Sequence, residues 1–242
     1  MKKFTVLTLF PDMVRNVICS SITGRAIDQK LVGFDAVDIR DFATNKYRKV
    51  DDTIYGGGTG MLMMCQPVYD AWKHVVKEEG TCRTIYLSPK GRVFNQNIAK
   101  ELSAEDNLIF LCGHYEGIDQ RVIEEIVDDE ISIGDYVLTG GEIAACVVID
   151  SVMRLIPGVL PSEDAYTDES HNDYLLEYPQ YTKPYEWEGV KVPEVLVSGH
   201  HKNISDWKRK MSLIETMNRR PDMFEKARIT EDDIKNILAH LN

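Results

Sequence analysis

The chain has 242 residues, 43% of them apolar and 28% charged, which is enough to build a proper core and argues against wholesale disorder. Its formal net charge of −11 excludes a generic nucleic-acid coat, which needs a basic surface overall. No apolar run approaches the roughly 18–20 residues that a membrane-spanning helix requires.

Met1-Lys2-Lys3 leads into an apolar run at 4–10 that Pro11-Asp12 stops. The run is short for a signal-peptide core and lacks a small-residue cleavage site, so it reads as a buried first strand of a cytoplasmic protein. Further short runs rich in β-branched residues lie at 35–39, 84–87 and 107–111, with helix-like stretches such as 67–76 and 95–102 between them. That alternation is the pattern of an α/β domain. The clearest helix is 142–156, where Ile143, Val147, Val148, Val152 and Leu155 recur at helical spacing before Pro157-Gly158. Arg154 falls four residues after Asp150 on it, a spacing that lets the two pair on one face.

Composition changes beyond Gly158. Residues 160–194 carry nine acids against Lys183 and Lys191, about −7, and read as a long irregular connection. Residues 199–228 carry eight Lys/Arg against four acids, about +4. The tail reads as helical, with Ser205 expected to cap 206–217 and Thr230-Glu231-Asp232-Asp233 resembling a capping box. Five scattered cysteines without a C-x-x-C pair point to neither disulfides nor a zinc knuckle. Cys112 and Cys146 lie in apolar runs, as small hydrophobes do. The adjacent His200 and His201 lack a third ligand at metal-binding spacing. Trp72, Trp187 and Trp207 are expected to serve as packing residues.

Two glycine sets could carry chemistry. Tyr55-Gly56-Gly57-Gly58-Thr59-Gly60 lets backbone N–H groups approach a phosphate or base. It lacks the Lys-Ser/Thr of a nucleotide-binding P-loop and the spacing of a dinucleotide fingerprint, and no clear strand leads into it. The second set begins where the run at 107–111 ends, in Gly113-His114-Tyr115-Glu116-Gly117-Ile118-Asp119. It continues through Ile133-Gly134-Asp135-Tyr136-Val137-Leu138-Thr139-Gly140-Gly141, just before the long helix. With Tyr86-Leu87-Ser88-Pro89 after another strand, these loops outline a backbone-walled pocket suited to an adenine and a ribose. Tight turns account for the same glycines equally well.

The ordered set of segments resembles the bacterial tRNA (guanine-N1)-methyltransferases of the TrmD type, in the SPOUT class, nearly end to end. It runs from Thr8-Leu9-Phe10-Pro11 through Tyr55–Met61, Tyr86–Gly91, Cys112–Arg121 and Ser132–Glu142 to Ser198-Gly199-His200-His201. The resemblance implies a trefoil-knotted parallel-sheet α/β domain at 1–160, a flexible linker at 161–194 and a small helical tRNA-binding domain at 195–242. It implies S-adenosylmethionine as methyl donor, tRNA as substrate and a homodimer with shared active sites, and it allows magnesium.

Positions matching the family's donor pocket are Tyr86, Leu87, Ser88 and Pro89, then Gly113, Tyr115, Glu116 and Gly117. The third group is Ile133, Gly134, Tyr136, Leu138, Gly140 and Gly141. Arg154 and Asp173 match a catalytic arginine and aspartate. Asp173 is the expected general base for N1 of the guanosine 3′ of the anticodon, and Arg154 the group that offsets charge on O6. Gly57, Gly58, Lys202, Lys208, Arg209, Arg219 and Arg220 are the expected RNA contacts. The chain departs from the family pattern at Thr53, Ile54, Thr59, Ala144, His171, Tyr174 and Lys183. A non-catalytic RNA-binding relative is the alternative reading.

Overall fold

The computed structural model describes residues 1–57, 59–161, 170, 171 and 173–241. Gly58, quoted above, lies outside the described residues, as do Asn172 and residues 162–169 of the acidic stretch. The chain forms two compact units, Met1–Ser162 and Glu163–Asn242.

The first unit is built on five parallel strands in the order β2-β1-β6-β5-β7. These are β1 (Lys2–Thr8), β2 (Val32–Asp38), β5 (Arg83–Val93), β6 (Asn107–Cys112) and β7 (Asp129–Ser132). Side chains alternate between two cores, because successive residues of a strand point to opposite faces. On β6, Leu108, Phe110 and Cys112 pack toward α1 (Pro11–Ile18), α4 (Gln96–Ala104) and α6 (Glu142–Met153). Ile109 and Leu111 pack toward α3 (Cys65–Glu79) and α5 (Gln120–Ile126). A strand buried on both faces reads as an unbroken apolar run, which is what 107–112 is.

Pairing between β5 and β7 shifts register between Leu87 and Arg92, so residues 88–91 bulge out of the sheet. Gly91 permits the return: a Cβ there would collide with the backbone of Glu130 and Ile131. Below the bulge, Arg83 and Arg92 share Asp129 (2.9 and 2.6 Å) and Glu101 of α4 (2.7 and 3.0 Å), tying β5, β7 and α4 together.

Several expectations need correction. The glycine cluster does follow a strand: β3 (Asp51–Thr53) pairs antiparallel with β4 (Met61–Met63), and residues 54–60 connect them. Helix α6 stops at Met153, and its last turn tightens through Leu155 N–H to Val152 O and Ile156 N–H to Met153 O. Ile143 and Val147, read as its core stripe, are 49% and 42% exposed, while Ala144, Ala145, Val148 and Ile149 are buried. The helix is apolar nearly all round, so spacing could not choose the buried side.

In the second unit the long helix runs from His201 to Arg219, with His200 rather than Ser205 at its N-cap. Gly199, at φ +74°, makes the turn that starts it. Thr230 and Asp233 form the expected reciprocal cap: Asp233 N–H donates to Thr230 Oγ1 and Thr230 N–H to Asp233 Oδ2. The acidic stretch is not all irregular connection. Leu175 is buried with Leu213 and Ile237, and Glu186–Trp187 pairs with Val190–Lys191 as a two-stranded ribbon. Trp187 is 66% exposed there, so it is not a packing residue. Among the described residues no helix is long and apolar enough to cross a membrane.

The two arginines hold the Glu101 carboxyl down at about 2, below its ordinary 4.5. A depressed carboxylate stabilises the fold above its unfolded pKa and loses that contribution as pH falls. Urea midpoints should therefore drop as pH falls from 4.5 toward about 2, and Glu101→Gln should flatten that limb. Because the pair is partly exposed, the effect is modest and shrinks in high salt.

Candidate functional site

Strands β5, β6 and β7 are neighbours and parallel, so the chain leaves all three at one edge of the sheet. The loops that follow enclose a cavity of about 300 Å³. Tyr86, Leu87, Ser88 and Pro89 reach it from the end of β5 and its bulge. Gly113, Tyr115, Glu116 and Gly117 reach it from the loop after β6. Ile133, Gly134, Tyr136, Leu138, Gly140 and Gly141 come from the stretch between β7 and α6. The structure thus gathers every residue of the three groups around one space.

Backbone hydrogen bonds stitch these loops together. Gly141 N–H donates to Gly113 O at 3.0 Å, and Gly117 N–H to His114 O at 3.0 Å, closing a tight turn with Tyr115 at φ +59° and Gly117 at φ +118°. Glu116 N–H donates to Met61 O and Met63 N–H to Gly117 O, both at 3.0 Å, fastening the β3–β4 ribbon to the rim. Gly141 sits so close to β6 that a Cβ would lie 2.9 Å from Cys112 Cα. Glu142, the next residue, is only 3% exposed and accepts a hydrogen bond from Thr8 Oγ1 at 2.8 Å. Its carboxylate also lies in the first turn of α6, where the helix dipole favours negative charge.

Polar and apolar groups both line the cavity. Tyr86 is buried and its phenol is pushed up to about 12, by burial first and then by the charge of Glu130. Two buried side-chain atoms in the lining, His114 Nδ1 and Glu130 Oε2, have no hydrogen-bond partner among the described residues. The sequence reading missed both. His114 lay inside a quoted motif, but Glu130 became visible only through its register with Tyr86. Cys112 and Cys146 lie beneath, their thiols pushed up by burial and by Glu142.

Other expected site residues lie elsewhere. Arg154 caps the far end of α6 from Gly141, about 20 Å away at 1.5 Å of rise per residue, and is not in the cavity lining. Asp173 belongs to the second unit, exposed, with φ +49° between His171 at +73° and Tyr174 at +61°. His171 N–H donates to Leu175 O at 2.7 Å and closes this turn. Leu176 N–H donates to Thr216 Oγ1 at 2.8 Å and anchors it to the long helix.

Gly57 is exposed, with open space where a side chain would stand. Lys202 is exposed, and the Lys208 ammonium lies 4.6 Å from the Tyr178 ring centre. Arg209 is bound to Asp233 at 3.0 Å and to Arg228 O, as a clasp between helices. Arg219 pairs with Glu215 at 2.6 Å and Arg220 with Asp222 at 2.7 Å.

A parallel sheet with a backbone-walled crevice beyond its strand ends defines a ligand-binding α/β domain. The family model for tRNA (Guanine-1)-methyltransferase TrmD matches residues 1–226. The chain is 58% identical over 225 residues to a tRNA (guanine-N(1)-)-methyltransferase of Ruminiclostridium cellulolyticum, covering 93% of this chain and 97% of that one. It is 58% identical to the Clostridium perfringens protein of that name (96% and 98% covered) and 54% identical to the Clostridium botulinum one (99% and 98%). The chain belongs to the TrmD family.

The crowding at Gly141 yields a prediction. Gly141→Ala should push the loop off Cys112 and cost about 1–3 kcal/mol, read from denaturant unfolding of the full chain. An unchanged midpoint would show that the rim is not packed as described.

Proposed function

We propose that the chain is a tRNA (guanine-N1)-methyltransferase using S-adenosylmethionine, and that it acts on the guanosine immediately 3′ of the anticodon. The observation that carries this reading is the cavity at the ends of β5, β6 and β7, in a chain of this family. The unpartnered Glu130 Oε2 and His114 Nδ1 fit a ligand that brings N–H or O–H donors and positive charge, as this one does. When bound, S-adenosylmethionine supplies a methyl group already activated by a sulfonium.

The chain's own residues must then align the base and free N1 of its proton. Alignment supplies roughly 7–11 kcal/mol in favourable systems. Asp173 takes the proton from N1, a role typically worth about 10²–10⁴-fold. Its support is a carboxylate exposed on an anchored turn of three positive-φ residues, a kind of strain that clusters at functional sites. Arg154, always charged, offsets the negative charge that proton loss leaves on O6. Lys202, Lys208, Arg219 and Arg220 contact phosphates, so binding weakens steeply with salt; Arg209, tied to Asp233, adds less.

A homodimer belongs to the same reading. Arg154 and the cavity stand at opposite ends of α6 within one subunit, so a site using both draws on two subunits. The half-exposed Ile143 and Val147 of α6, and Met13 and Val17 of α1, offer an apolar face for the contact. The trefoil knot and a cytoplasmic setting complete the proposal. The knot is supported by family membership and by β5 lying between the later strands β6 and β7.

Two experiments test it. Purified protein should transfer labelled methyl from S-adenosylmethionine to unmodified tRNA, with Asp173→Ala at least about 100-fold slower and donor affinity kept. Donor binding without transfer would favour the non-catalytic relative, and repeating the assay with a chelator tests magnesium. Sedimentation should give twice the subunit mass, reduced to one by Val147→Glu; a wild-type monomer would contradict the shared site.

A further inference from the structure

We propose that Glu130 is the group through which the cavity reads positive charge: its carboxylate is the counter-ion for a cationic group of the bound methyl donor. The proposal rests on the donor assignment above and deepens it.

Strand alternation separates the three acidic and apolar residues of β7. Asp129 and Ile131 point to the α4 and α6 face, where Arg83 and Arg92 neutralise Asp129. Glu130 points to the opposite face and stands in register with Tyr86. Its Oε2 is buried without a hydrogen-bond partner among the described residues, in a wall it shares with Tyr86 and Ile123.

A carboxylate oxygen buried without a partner is unfavourable until a cation or a donor meets it. The lining offers it little: Lys90 is exposed on the bulge, and Glu116 adds a second negative charge at the rim. A site so arranged favours a cation. S-adenosylmethionine carries two, the sulfonium and the α-ammonium, and methyl transfer removes only the first, leaving a neutral thioether. A counter-ion at the sulfonium would hold the donor more tightly than S-adenosylhomocysteine, whereas one at the α-ammonium would hold both alike.

Calorimetric titration of the full-length protein separates these. The ligands are S-adenosylmethionine, S-adenosylhomocysteine and 5′-methylthioadenosine, which has neither cation; the proteins are wild type and the isosteric Glu130→Gln. The variant should lose about 10- to 100-fold in affinity for S-adenosylmethionine, the range for a hydrogen bond to a charged group. It should keep its affinity for 5′-methylthioadenosine, which shows that the cavity is intact. A smaller loss for S-adenosylhomocysteine assigns Glu130 to the sulfonium, and an equal loss to the α-ammonium. Donor affinity within about twofold of wild type, or equal losses for all three ligands, would overturn the proposal. Wild type that fails to bind S-adenosylmethionine would instead remove the donor assignment itself.

Discussion

Three neighbouring parallel strands end at one edge of the sheet, and the loops leaving them must satisfy their backbone groups against one another. Everything at the site depends on that constraint. Gly141 reaches Gly113, Glu116 reaches Met61, and Met63 reaches Gly117, so the rim is a lattice of main-chain hydrogen bonds rather than of side chains. Glycine is needed at Gly141 and Gly91 because backbone passes against backbone there. The buried Thr8–Glu142 hydrogen bond then fixes where α6 begins, and a rigid helix carries that placement to Arg154 at its other end. The geometry that makes a good cavity thereby keeps the arginine away from it within one chain.

Much of this was legible in the sequence, for physical reasons. Unbroken apolar runs such as 107–112 announce strands buried on both faces. Motif order placed the three loops of the cavity in sequence, and the fold brought all their named residues together. What stayed illegible depended on register and on sidedness. Residues 88–91 read as a loop after a strand, yet pairing resumes at Arg92 beyond the bulge, and the register of β5 on β7 that sets Glu130 beside Tyr86 leaves no mark in the sequence. Ile143 and Val147 have the spacing of a core stripe but face outward; α6 is apolar nearly all round, so spacing could not mark its buried side. The short β3–β4 ribbon offers three residues per strand, too few for alternation to be seen. The helix start at His201 was hidden because Ser205 is a better capping residue than His200; the turn at Gly199 decided the matter.

Charge deserves a similar correction. The tail's excess of Lys and Arg is a fact of composition, but Arg209, Arg219 and Arg220 are each paired with a neighbouring acid. Surface pairs of this sort are weak and can yield to phosphates, whereas Arg209 also holds two helices together. A basic stretch is therefore not uniformly available to RNA. The acidic stretch is likewise divided, with Leu175 anchored in the second core and Asp173 lifted out beside it.

The central claim is that the loops after β5, β6 and β7 form one donor-binding cavity. Hydrogen–deuterium exchange of the full-length protein, with and without S-adenosylmethionine and in the absence of tRNA, addresses it most directly. The account predicts slowed exchange concentrated at 86–91, 113–118 and 132–141, with the ribbon at 51–63 slowed through its bonds to that rim. Protection centred on the glycine connection at 54–60, or on the second unit, with the three loops unchanged, would contradict it.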